Sequence, residues 1–334
     1  MNTKKLSDIK YSVLDLAGVP AGRTPADTFK NSLDLARLAE QLGYTRYWLA
    51  EHHNMESVAS SATSVLIGYL AGGTSTIRVG SGGIMLPNHA PLVVAEQFGT
   101  LESLYPGRID LGLGRAPGTD QLTAMALRRG NLAAGEHFLD NILELQNYFS
   151  SENRHGKVRA FPGEGLEIPL WILGSSTESA RLAGMLGLPY AFASHFAPAH
   201  FYAALDLYRK SFRPSEVLKE PYVIACVNVV AAEDDETASY LATSLQRLFL
   251  GIVTGKRTLL MPPVANLDEL WTEHEAAAVW QMLAFSFIGG REKIKSELAE
   301  FVTRMPVDEI MATSHIFDHQ ARLRSYELFA KVFG

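Results

Sequence analysis

Short runs of β-forming apolar residues alternate with stretches of helical periodicity along almost the whole chain, and this alternation restricts the fold more than any other feature. Strands are expected over residues 11–16, 47–50, 77–80, 109–113, 170–173, 190–193, 222–232 and 309–313. Between them, apolar positions recur at three- and four-residue spacing, the period of a helix with one buried face. The first helix carries its own start signal: Thr24 as N-cap, Pro25 at the first helical position and Asp27 where a capping acid belongs. Further helices are expected near 62–71, 92–104, 136–149, 178–186, 200–211 and 319–332. Eight strand-then-helix units predict an α/β fold, a (β/α)8 TIM barrel in which residues 1–334 form a single domain. An open doubly wound sheet is the competing architecture; the count of eight and the terminal helix favour closure. Residues 233–290 are too long for one crossover and are expected as an insertion between strands seven and eight, lying over the active face or forming an interface.

Composition narrows the partners. With 334 residues, 47% of them hydrophobic, the chain can bury a large core. The net charge is −6 and no block of like charge occurs, so no basic face is expected for nucleic acid. Cys226 stands alone, which rules out an internal disulfide and fits a reducing cytoplasm. The N-terminal stretch has lysines but no sustained apolar core of a signal peptide. No apolar run is long enough to span a bilayer, so no membrane partner is expected.

In barrels of this type chemistry sits at the C-terminal ends of the strands. The run "WLAEHHN" brings Glu51, His52 and His53 to such an end. A neutral imidazole there can act as base or hydrogen-bond donor near neutral pH. Adjacent strand residues point to opposite faces, so only one of the two histidines is expected to reach the cavity. The bland alternative is a strand end whose histidines pair with Glu51 or with backbone carbonyls. A metal site would need a further ligand, and the first strand, "YSVLDLAG", lacks the His-x-His of metal-dependent barrel hydrolases; no metal is expected.

Three more motifs lie at strand ends. "VGSGGIMLPNHAPL" crowds Gly80, Gly82 and Gly83 together, leaving a shelf free of side chains with Met85 as an apolar neighbour. A bulge at the barrel rim explains the same glycines. "IDLGLGRAPGTD" superficially suggests a dinucleotide fingerprint, but the third glycine position is Pro117. What remains is Arg115 just past a strand, placed to grip a phosphate or to make a surface ion pair. "WILGSSTESARLAGMLGLP" sets Gly174, Ser175, Ser176 and Thr177 between a strand and a helix start, where free N–H groups bind phosphate or a hydroxyl simply caps the helix. His195 and His315 follow strands six and eight, either able to line the same cavity; His315 and His319 read as a structural pair, with Asp318 capping the last helix.

Taken together, "LAEHHN", "VGSGGIMLPNHAPLVVAEQFGTLESLYPGRIDLGLGRAPG" and "ILGSSTESARLAGMLGLP" resemble the bacterial luciferase-like flavin monooxygenase family over nearly the whole chain. The resemblance implies a barrel that takes reduced FMN from a separate NAD(P)H-dependent flavin reductase and uses O2 to oxygenate a small organic substrate. It implies that His52 is the active-site histidine and that Gly82-Gly83 forms a non-proline cis peptide beside the flavin ring. It sets Arg115 near the flavin phosphate and assigns Ser175, Ser176 and Ser179 to phosphate-binding positions, with Gly174 and Met85 also against the cofactor. The light-emitting enzyme has a cysteine at the position of Gly114, so light emission is unsupported here. Candidate substrate-pocket walls are Leu14, Tyr47, His195, Phe196 and the insertion. A homodimer is also implied. Two other activities stay open: hydride transfer with the deazaflavin coenzyme F420, disfavoured because "TESARLAGML" offers only Arg181 to its acidic tail, and flavin binding without turnover.

Overall fold

The computed structural model of the protein describes residues 4–129 and 135–334. Eight parallel strands close into a ring. They are β1 (Lys10–Asp15), β2 (Arg46–Leu49), β3 (Arg78–Met85), β4 (Ile109–Gly114), β5 (Leu170–Gly174), β6 (Tyr190–Phe192), β7 (Val223–Ala231) and, after a short extra strand β8 (Ser286–Gly289), β9 (Glu309–Thr313). Each of β1 to β6 pairs with the next in sequence, β6 pairs with β7, β7 with β9, and β9 with β1, so the circuit has no free edge. This is the expected TIM barrel.

The helices wrap the ring. They are α1 (Pro25–Gln41), α2 (Thr63–Gly72), α3 (Pro91–Leu104), α4 (Gln121–Leu127), α5 (Phe138–Phe149), α6 (Thr177–Leu186), α7 (Phe201–Ser211), α8 (Asp235–Val253), α9 (Glu273–Met282), α10 (Arg291–Arg304) and α11 (His319–Ala330). The start of α1 is the capping box read from the sequence: the Asp27 N–H donates to Thr24 Oγ1 and the Thr24 N–H donates to the Asp27 carboxylate. Short α4, capped by Asp120, was not expected, and the expected helix at 136–149 begins at Phe138; its neighbours 130–134 lie outside the described residues.

Three cores result. The largest lies between the ring and its helices and holds Val13, Tyr47, Leu49, Val79 and Leu111. A second fills the barrel, with Leu14, Trp48, Trp171, Ile224, Cys226 and Met311. Below it, Arg46 donates to Asp110 at 2.7 Å and to Glu309 at 2.9 Å, Arg78 donates to the other Asp110 oxygen at 2.7 Å, and Trp48 Nε1 donates to Asp110 at 3.0 Å, so two guanidiniums balance two carboxylates across four strands at the barrel floor. The third core packs α8 against α9, through Leu245, Phe249, Val279 and Leu283.

Two expectations need correction. The insertion between β7 and β9, expected among the walls of the substrate pocket, adds no described residue to the lining of the cavity at the C-terminal end of the ring and carries an unexpected strand. "SFIG" forms β8, which pairs with the upper part of β7 at Asn228–Ala231, outside the closed ring. Tyr47, expected in the substrate pocket, is fully buried in the outer core. Strand alternation points Trp48 into the barrel and therefore turns Tyr47 toward the helices, where its hydroxyl donates to Asp15. Asp15 also accepts from Ser32 and from Arg322, the latter at 2.8 Å, which ties β1 to α1 and α11.

Candidate active site

At the C-terminal end of the ring lies a cavity of about 320 Å³. Its walls bring together all the predicted site residues except Tyr47. Gly82, Gly83 and Met85 form one side, Arg115 the rim, and Gly174, Ser175, Ser176 and Ser179 the opposite end; His52, His195, Leu14 and Phe196 complete it. These pieces come from the ends of six strands.

The shelf is more elaborate than the sequence suggested. The third strand does not stop at residue 80 but runs on to Met85, with its pairing to β4 interrupted between Ser81 and Ile84. The Gly82-Gly83 peptide inside that interruption is cis. Neither position has room for a side chain. A Cβ on Gly83 would stand 2.6 Å from the Gly112 carbonyl oxygen, and one on Gly82 would stand 2.7 Å from a Leu14 methyl. The result is a bare strip of backbone above Trp48, flat enough for an aromatic ring system.

The opposite end is polar. Ser176 caps α6, whose first-turn N–H groups have no partner within the helix and point toward the cavity end. The Ser179 hydroxyl does not face outward: it donates to the Ser176 carbonyl at 2.9 Å and lies 3.1 Å from the Tyr190 hydroxyl. Arg115 pairs with Glu178 at 2.7 Å, both side chains exposed. The ion-pair reading of Arg115 is the one seen, and the pair sits on the rim of the cavity beside the α6 N-terminus.

Three histidines approach the interior. His52 Nδ1 lies 3.1 Å from the Gly118 carbonyl, so it carries the proton and donates, leaving Nε2 free to accept. Burial lowers its pKa and Arg257 pushes the same way, against the Gly118 hydrogen bond, so the ring is neutral at pH 7. His195 is pushed down to about 3 by burial, reinforced by His315 and His52, and its Nδ1 has no partner. His315 does not line the main cavity; it borders a neighbouring void of about 20 Å³, room for about one water, with Leu16 between the two spaces. Leu260 of the insertion roofs that void and is fastened to the loop after β1, its N–H donating to Val19 and its carbonyl accepting from Ala21.

His53 faces the other way, as alternation predicted. Its Nε2 lies 2.9 Å from Glu51 Oε1, and His89 Nε2 reaches the same oxygen at 2.9 Å. Glu51 Oε2 accepts from the Met85 N–H at 3.2 Å. Burial works to raise the Glu51 carboxyl, but the hydrogen bonds from His53 and His89 outweigh it and hold the group at about 2. Sequence reading missed His89 because it stands 36 positions from His53; only the closing of β2 against β3 brings them together.

Known proteins resemble the chain over nearly its whole length. The profile of the family described as luciferase-like monooxygenase matches residues 9–308. An Escherichia coli (strain K12) protein described as a luciferase-like monooxygenase is 53% identical over 320 residues, covering 96% of each chain. The uncharacterised protein YvbT of Bacillus subtilis (strain 168) is 57% identical over 334 residues, covering all of this chain and 99% of its own. Among solved structures, apo-MsnO8 superposes with a TM-score of 0.86 at 34% identity, covering 97% of this chain and 98% of the other.

Proposed function

Since the chain belongs to the luciferase-like monooxygenase family, we propose that it is a two-component monooxygenase that binds reduced FMN delivered by an NAD(P)H-dependent flavin reductase and, with O2, oxygenates a small organic substrate. The observation that carries this reading is the meeting of a bare glycine shelf, an arginine and a helix N-terminus on one cavity. The shelf suits the flat face of a flavin. Arg115 and the first turn of α6 suit its phosphate. When bound, the flavin supplies the electrons that activate dioxygen.

The protein's part is position, dryness and one proton-bearing group. Leu14, Leu16, Ala50, Leu173 and Ala193 make the inner wall apolar, which keeps water from the reacting centre. His52, neutral with its proton held on Nδ1 by Gly118, presents an accepting Nε2 to whatever stands over the shelf. Coenzyme F420 is the less favoured cofactor: the groove leading from the phosphate end sets Glu136 and Glu178 against Arg115 and Arg181, with no surplus of positive charge for an acidic tail. A homodimer and a cytoplasmic location belong to the same proposal; exposed Val65 and Tyr69 on α2 and Leu104 on α3 offer the apolar surface for self-association.

The experiment is an anaerobic titration of wild type and Arg115→Ala with reduced FMN and with reduced riboflavin, followed by oxygen. FMN affinity should fall about five- to tenfold in the variant, as befits a partly exposed charged contact, with riboflavin affinity unchanged. Oxygenated wild-type complex should release peroxide more slowly than His52→Ala. Failure of wild type to bind reduced FMN removes the proposal, and binding without any effect on oxygen reactivity points to flavin binding without turnover.

A further inference from the structure

From the cluster behind the shelf we infer that Glu51, His53 and His89 form a binding site for a divalent first-row transition ion. One carboxylate oxygen and two imidazole Nε2 atoms converge, all within 4.8 Å of one another. Both Nε2 atoms stand 2.9 Å from Glu51 Oε1. For ligand bonds of about 2.1 Å, cis positions of an octahedral ion are about 3.0 Å apart and tetrahedral positions about 3.4 Å apart. The observed spacings therefore fit two cis edges with hardly any movement. Two histidines and one carboxylate are the ligand set of open, incompletely coordinated sites for iron, cobalt, nickel and zinc, whereas magnesium and calcium prefer oxygen alone.

The surroundings support a site and not merely a hydrogen-bonded trio. Glu51 is 1% exposed, while the side chains of His53 and His89 are 13% and 29% exposed, so the anionic ligand is dry and the imidazoles border an entry path. The second Glu51 oxygen accepts the Met85 N–H, which orients the carboxylate as outer-sphere partners do in metal sites. Binding requires each Nε2 to turn from hydrogen-bonding Glu51 to presenting a lone pair to the ion. The ion would then clasp the end of β2 to the segment after β3, directly behind the cofactor shelf. This inference does not depend on which flavin the cavity holds.

The test uses the untagged full chain, free of flavin and chelator. Cobalt(II) titration should give visible ligand-field absorption saturating at one ion per chain, displaced by zinc(II), and should raise the unfolding midpoint. His53→Gln and His89→Gln each keep a donor for Glu51 while losing a ligand, and each should weaken cobalt(II) at least about tenfold. Absence of the absorption in wild type at about 1 mM cobalt(II), a concentration that would fill any site tighter than millimolar, overturns the inference. So does equal binding by wild type and both variants, which would place the ion on other surface histidines. Reduced-FMN affinity, measured in parallel, should stay unchanged in the glutamine variants and reports separately on the flavin proposal.

Discussion

The barrel holds His195 and His315 buried and neutral, and this should make the protein progressively less stable in mild acid. Both imidazoles ordinarily titrate near 6.5; in the folded chain burial brings them to about 3 and about 4. His315 faces the Arg322 guanidinium with Asp15 behind it, so a proton added there meets a cation already in place, and His195 faces His315 and His52, so charging any one of these rings opposes charging the next. Because both folded-state values are depressed, the unfolded chain binds protons that the folded chain refuses as soon as pH drops below 6.5. Stability is full above that value, falls through mild acid, and levels off for these groups only near 3 to 4. Going from about pH 7.5 to about pH 5 costs about 2 kcal/mol per ring, or about 4 kcal/mol for the pair. His52, shifted the same way, adds to the fall. Glu51, held at about 2, stays charged in the fold, and because its unfolded form begins to protonate only near pH 5 it adds no more than a few tenths of a kcal/mol across this window. Guanidinium unfolding followed by tryptophan fluorescence at several pH values measures the loss. A change below about 1 kcal/mol, or an identical slope in the His195→Asn/His315→Asn double variant, would refute the reasoning.

Three further outcomes follow from the packing. Gly83→Ala places a methyl 2.6 Å from the Gly112 carbonyl, backbone against backbone, and should cost upwards of about 3 kcal/mol in chemical denaturation while abolishing flavin binding in any folded fraction. Arg46→Met removes the cation paired with buried Glu309 and leaves Asp110 to Arg78 alone, and should destabilise by about 3–5 kcal/mol; a loss under about 1 kcal/mol would mean that water reaches Glu309. Tyr47→Phe should cost about 1–2 kcal/mol through the lost bond to Asp15 yet leave FMN affinity untouched, and altered affinity would contradict its place outside the cavity.

The strands were legible because parallel barrel strands, covered on both faces, read as unbroken apolar runs. That same property hid Tyr47. All four residues of β2 are buried, so no polar alternation marks which side faces inward. β8 escaped notice because Leu283–Ile288 continues the apolar run of α9, and no turn residue separates them. The site was legible where its parts follow the strands as read from the sequence: Arg115 and Ser176 lie just past β4 and β5, and Gly82-Gly83 lie just past the expected end of β3 at residue 80, although that strand runs on to Met85. The Glu51–His89 contact and the Ser179–Tyr190 contact depend on neighbouring strands closing and left no local trace. The inward turn of the Ser179 hydroxyl likewise comes from a partner 11 positions on.

The insertion, whose Leu260 roofs the void beside the site cavity, is sewn to the barrel along two seams. At one, β8 shares main-chain bonds with the outer half of β7; at the other, Leu260 is stitched to Val19 and Ala21 beside β1. A flap fixed on both margins cannot swing like a door. Any widening there must come from bowing of the segment between those seams.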